Sequence, residues 1–243
     1  MKSQPKVAKF FIGMMALGGL VSLSYGLLHM HPWHHAQFAT LLMLAMLASR
    51  LKLKLPGLHG NMSVNLPFIL IAMVELSLFQ ALMIALASTV AQCFPKDGGR
   101  PKAVQTLFNV STVAVAVGLA GPILQGRMPL PTGWVSGPLL LSLAAASFFL
   151  AQTIPVAAII SLTEGGNAVR IWLSIFHLSF PYYVLSAGVT SLVTTASQRI
   201  GWQVPLLVLP VMYGVYRSYR LYFGRPETSA RPHALAGAAT TSN

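Results

Sequence analysis

The stretch "HMHPWHH", residues 29–35, holds four of the seven histidines of this 243-residue chain. Neutral imidazole is a good ligand for zinc or copper. His31 and His35 stand at i,i+4, and His31 and His34 at i,i+3, which shares one face if the turn is already helical. Pro32 suits a helix start, where a proline gives up no needed hydrogen bond. A firm metal site wants three or four ligands, and Glu75 is the natural acid to complete one with His31, His34 and His35. Two other readings stay open. The cluster also fits an interfacial turn with Trp33 at headgroup level. It fits proton sensing too, since histidine titrates near about pH 6.5.

A second set of polar residues falls inside apolar runs. Asn109 and His177 each lie about 9 Å in from the nearer helix end at 1.5 Å per residue, and Gln152 is deeper. Their similar depth predicts that Asn109 and His177 approach each other, with Gln152 nearby. The same groups also serve as ordinary interhelical glue, worth about 1 kcal/mol each. "FPYYV" sets Pro181 beside Tyr182 and Tyr183, and "QTIPVAA" sets Pro155 in the preceding run. A proline inside a helix removes a backbone hydrogen bond and favours a kink. Two such helices side by side can open a cavity for a small ligand. Glu75 is the one acid expected near membrane depth, where a charge costs about 2.5–3.5 kcal/mol on insertion scales. The candidate ligand-binding residues are therefore Asn109, Gln152, His177, Tyr182, Tyr183 and Glu75.

Catalysis finds little footing. The chain has four acids, Glu75, Asp97, Glu164 and Glu227. No HExxH, GxSxG, phosphate-binding loop or paired intramembrane acids occur. The reading is a protein without enzymatic activity and without a cofactor. The single cysteine, Cys93, cannot form an internal disulfide.

These residues need elements to hold them, and composition names the solvent. The chain is 55% hydrophobic and 8% charged, with a mean hydropathy of +0.67. So few charges cannot wet a soluble surface, whereas a bilayer asks for an apolar exterior. The predicted fold is an all-α polytopic transmembrane helical bundle of about eight spans. They are residues 7–28, 33–49, 62–76, 78–94, 103–124, 138–162, 171–193 and 204–223. The first is long enough to be a retained helix rather than a cleaved signal peptide. Residues 62–94 admit either one long helix or a hairpin of two short ones. Charge decides between them. With two helices and a cytoplasmic N-terminus, 14 of the 16 basic residues fall inside, leaving only Arg127 and Arg199 outside. With one long helix the split becomes even. The positive-inside rule favours eight spans with both termini cytoplasmic, and accounts for the net charge of +12 without nucleic acid. Residues 1–223 form the transmembrane domain, and residues 224–243, rich in small residues and proline, a disordered cytoplasmic tail.

The order of features resembles a known family. "LKLKLPGLHGNMSVNLPFILIAMVELSLFQALMIALASTVAQCF", then "LFNVSTVAVAVGLAG", then "VYRSYRLYFGR" are similar to the multi-pass membrane sensory domain that precedes bacterial HD-GYP or GGDEF output domains. The resemblance covers residues 7–225, with a Leu-Pro-Gly lead-in, a Phe-Asn pair and an aromatic-arginine exit. It implies an inner-membrane protein of sensory or ligand-binding type. Where the family runs on into an output domain, Pro226 and the tail follow here. The implied role is therefore signalling through a separate cytoplasmic partner. The short-helix pair is also similar to small-molecule-binding subunits of bacterial vitamin transporters. That makes a transport component with an ATPase partner the alternative, ahead of an enzyme on lipid-linked substrate. Membrane lipid is the remaining expected partner.

Overall fold

The computed structural model describes residues 6–29, 34–54, 61–94, 101–125 and 137–223. The tail from residue 224, and with it the expected disorder, lies outside the described residues. Eight α-helices occur among the described residues: α1 (Lys6–Leu28), α2 (His35–Ser49), α3 (Leu66–Glu75), α4 (Leu78–Cys93), α5 (Ala103–Leu124), α6 (Gly137–Glu164), α7 (Ala168–Ile200) and α8 (Val208–Phe223). A short 3-10 helix, Val204–Leu207, leads into α8. The fold is an all-α bundle, as the apolar runs predict. Four helices, α1, α5, α6 and α7, are long and apolar enough to cross a bilayer.

Residues 62–94 form two helices. Ser77 ends the ambiguity by a reciprocal cap: Gln80 N–H donates to Ser77 Oγ at 3.3 Å, and Ser77 N–H donates to Gln80 Oε1 at 3.2 Å. This S-x-x-Q box satisfies helix-end donors that have no intrahelical partner. It starts α4 after a break of two residues, Leu76 and Ser77.

Residues 63–73 are buried without interruption. A helix that is apolar all round belongs inside a core, and α3 packs against α2, α4, α5 and α7. Its ten residues, about 15 Å, need not match the bilayer because protein surrounds them. The third run starts later than expected. Residues 61–63 are a strand, β2 (Asn61–Ser63), paired antiparallel with β1 (Lys52–Lys54), Lys52 opposite Ser63. Lys52 Nζ donates to the Phe94 carbonyl at 2.7 Å, tying this hairpin to the end of α4.

Contacts set the direction of each helix. Phe11 meets Phe108, Gly19 meets Ser111, and Gly118 meets Ser22, so α1 and α5 run parallel. A Cβ on Gly118 would collide with the Ser22 side chain, and one on Gly19 would sit 3.2 Å from Ser111 Cα. Small residues let these two backbones approach, as is usual for helices in lipid. Leu78 meets Gly121 and Cys93 meets Asn109, so α4 runs against α5. Tyr182 meets Leu66, and Thr190 meets Pro67, so α3 and α7 are parallel. Thr153 meets Trp172 and Phe149 meets Tyr183, so α6 runs against α7. Odd-numbered helices thus point one way and α2, α4 and α6 the other, while α8 comes back to β1. One end of the bundle collects Lys6, Lys9, Arg50, Lys52, Lys102 and Arg170; the other has Arg199 and Glu75.

Candidate ligand site at the Glu75 end

Glu75 is the last residue of α3. An anion at a helix C-terminus meets the negative end of the dipole, at a cost of about 0.3–1 kcal/mol. Its position is held by the tight turn that follows, where Leu76 N–H donates to the Ala72 carbonyl at 2.9 Å and Ser77 caps α4. Two other helices reach the carboxylate. Gln37, in the first turn of α2, donates from Nε2 to Glu75 Oε2 at 2.5 Å. Ser197, near the end of α7, stands beside the carboxylate. Its hydroxyl is the second donor to the carboxylate, in a looser geometry than the Gln37 bond.

Beyond Gln37 lies an open cleft of about 200 Å³, lined by His34, His35, Ala36, Gln37 and Trp202. His34 is the residue before α2, where its carbonyl accepts from Phe38 N–H at 2.9 Å. Both imidazoles are exposed, and Trp202 is 41% exposed. One side chain, Gln37, therefore lines the cleft and holds the carboxylate. His29 is at the end of α1, with Nδ1 2.9 Å from the Tyr25 carbonyl and its ring 4.3 Å from the Tyr25 ring. His31, Pro32 and Trp33 lie outside the described residues. Among the described residues, no group of three or more His, Cys, Asp or Glu side chains is arranged to hold a metal ion.

The other sequence-selected residues do not converge. Asn109 donates from Nδ2 to Cys93 Sγ at 3.7 Å, which joins α5 to α4. His177 is exposed on α7, its Nδ1 2.7 Å from the Leu173 carbonyl of its own helix. The structure does not bring Asn109 and His177 together, because α6 packs between α5 and α7. Gln152 keeps its Oε1 buried and unpartnered. Helices α6 and α7 continue through Pro155 and Pro181. Aromatic rings fill the space between them: Phe149 packs edge-on against Phe176, Phe180 and Tyr183, at 5.5, 6.1 and 4.8 Å. Tyr182 has a structural partner, accepting from Leu66 N–H at 3.2 Å at the start of α3.

Gln37, Ser197 and Trp202 went unnoticed in the sequence. So did a buried polar chain at the other end of α3, where Ser63 Oγ donates to Asn65 Oδ1 at 2.6 Å and Asn65 Nδ2 donates to Ser88 Oγ at 3.0 Å. The "NMSVN" spacing carried a signal for the latter, since Ser and Asn before a helix bond to nearby backbone and side chains.

Residues 26–222 match MASE9, a family of membrane-associated sensory domains. This chain belongs to the MASE9 family. The MASE9 match takes in the last turn of α1, all of α2 to α7 and nearly all of α8. The bundle is thus a membrane sensory domain, and the Glu75 end lies wholly within the MASE9 region. No curated protein and no solved structure gives a significant match.

Proposed function

We propose that this MASE9 protein is a multi-pass sensor of the bacterial inner membrane, with both termini cytoplasmic, that has no catalysis of its own and signals through a separate cytoplasmic partner. The observation that carries the reading is the family match from residue 26 to residue 222. The orientation follows from the positive-inside rule, since the basic end of the bundle suits the cytoplasm. That rule puts the cleft between Gln37 and Trp202 on the outer side, where a ligand arrives. The parallel pair α3 and α7 meets both at Glu75–Ser197 and at Leu66–Tyr182. An event at the outer end thus has a packed route toward the basic end, where a partner reads it.

A reporter active only in the cytoplasm, fused after Asn243 or after Pro95, gives signal at both positions in this reading; silence at either one overturns the topology. In the native host, removing the chain should shift cyclic di-GMP, and restoring it should reverse the shift. Unchanged cyclic di-GMP with a loss of small-molecule uptake would instead identify a transport component.

A further inference from the structure

We propose that two copies of this chain pair in parallel through the exposed face of α7, with the imidazole of His177 in each accepting a hydrogen bond from the Ser174 hydroxyl of the other. Among the four bilayer-length helices, α7 is the least buried and also the least apolar. That balance is inverted, because a helix face turned to lipid finds no water for its polar groups and should be apolar. Helix α1, nearly as exposed, obeys the rule: Phe10, Met14, Leu17 and Val21 stand outward. On α7 the buried residues Ile175, Ser179, Tyr182, Ser186 and Thr190 share one face. At about 100° per residue the opposite face carries Ser174, His177, Pro181, Val184, Gly188 and Thr195, all exposed. Arg170 and Arg199 bound the helix, and a hydrocarbon core about 30 Å thick centred between them takes roughly residues 175–194. His177 and Gly188 lie inside that core, with Ser174 and Thr195 at its edges.

The geometry of His177 defines what covers this face. Its Nδ1 is 2.7 Å from the Leu173 carbonyl. A carbonyl only accepts, so Nδ1 carries the proton, and Nε2 of the neutral ring is left as an acceptor on an exposed residue. Acyl chains offer it no donor. The contact with Leu173 also bends the ring back toward the N-terminal end of α7, to the level of Ser174, whose hydroxyl is a donor on the same face. A second copy, inserted in the same orientation, brings its own Ser174 to that depth. Rotation about an axis along the membrane normal makes the contact isologous, so each His177 meets the Ser174 of the other copy. Gly188 supplies the close approach. A Cβ built there meets nothing within 4 Å, so no packing inside the chain requires a glycine, although glycine weakens a helix interior. Small residues at helix interfaces in lipid let two backbones come together. Leu173 and Phe180 flank the stripe on one side, Leu185 and Leu192 on the other, so apolar ridges surround a small and polar centre. The inner face of α7 packs on α3 and α6, and pairing leaves those contacts intact. The pairing does not depend on the sensory reading.

The test uses the full chain in a membrane. In a Cys93→Ser background, Val184→Cys and Met14→Cys each place a single thiol on α7 or on α1, at positions of similar exposure, 55% and 59% being the range set by Val184 and its neighbour class on α1. Oxidation with copper phenanthroline in native membranes should link Val184→Cys into a homodimer and leave Met14→Cys monomeric. Equal linking at both sites, or linking of Val184→Cys only to a different protein, overturns the proposal. Affinity is read with Cys93 intact, so this arm stands even if Cys93→Ser fails to fold. Copies labelled with donor or acceptor dye after Asn243 are mixed in vesicles, and energy transfer is followed as lipid dilutes them. Interhelical hydrogen bonds in lipid are modest, and symmetry removes two at once, so His177→Leu and Ser174→Ala should each weaken the dimer about 5- to 30-fold. The double variant should be no weaker than either single one, because both changes remove the same pair of bonds. Gly188→Leu, which holds the backbones apart, should weaken pairing by about tenfold or more. These positions are exposed, so the thermal unfolding of the monomer should stay where it is in the parent chain. No transfer in the parent at any protein-to-lipid ratio, or a dimer undiminished in both His177→Leu and Gly188→Leu, overturns the proposal.

Discussion

Tyr182→Phe isolates a single hydroxyl at the join between α7 and α3. Tyr182 is 3% exposed and Leu66 is 4% exposed, so water does not reach their hydrogen bond. Leu66 opens α3, and the first N–H groups of a helix have no intrahelical partner. The Asn65 carbonyl serves Phe68 and Ile69, and Tyr182 serves Leu66 at 3.2 Å. Removing the hydroxyl keeps the ring and its edge-on contact with Tyr183 at 6.0 Å, but leaves a buried N–H unmet. Such a group costs about 1–3 kcal/mol. The long bond puts this one toward the lower part of that range, at about 1–2 kcal/mol. For a chain of this size that lowers Tm by about 2–8 °C. The chain supplies its own probe. Cys93 is the single cysteine and is half-buried against Asn109, so a thiol-reactive fluorophore in detergent reports its exposure on heating. Tyr213→Phe is the control, because Tyr213 is 49% exposed and a surface change of this kind stays within about 0.5 kcal/mol. A Tyr182→Phe protein as stable as the control would refute the claim that this hydroxyl caps α3.

The α1–α5 seam makes a paired prediction: Gly118→Leu, forced onto Ser22, should destabilise by about 1–3 kcal/mol or more, while Gly13→Ala, with nothing within 4 Å of its added methyl, should be tolerated or slightly stabilising. The same thiol assay reads both, and equal melting of the two would mean that the helices do not pack through Gly118. Ser77→Ala should cost about 1 kcal/mol by removing the α4 cap, and Ser77→Asp should largely restore it; a neutral Ser77→Ala would show that the hairpin apex is held by packing alone.

Composition alone placed this protein in a membrane, because a chain with 8% charged residues cannot cover a soluble surface. Charge also resolved residues 62–94 into two helices, since it reports on where loops fall whatever the packing. The Ser77–Gln80 box that performs the break is a local S-x-x-Q pattern that the charge argument passed over. Depth along a helix was legible as well, from a fixed rise per residue. The direction in which a side chain points, and the helix it meets, were not. Asn109 and His177 share a computed depth, yet one faces Cys93 on α4 and the other lies on an exposed side of α7. Tyr182 and Tyr183 are adjacent, yet one caps α3 and the other packs edge-on against Phe149. Strand β2 overlaps the start of a run read as apolar helix and β1 falls in the loop before it, because strand pairing depends on a partner segment elsewhere in the chain. Glu75 stood out by charge in an apolar setting, but Gln37 and Ser197 lie 38 residues before and 122 residues after it, and nothing local marks them. A one-dimensional pattern records period and composition; the azimuths at which α2, α3 and α7 meet come from packing the whole bundle, and the Glu75 site exists only there.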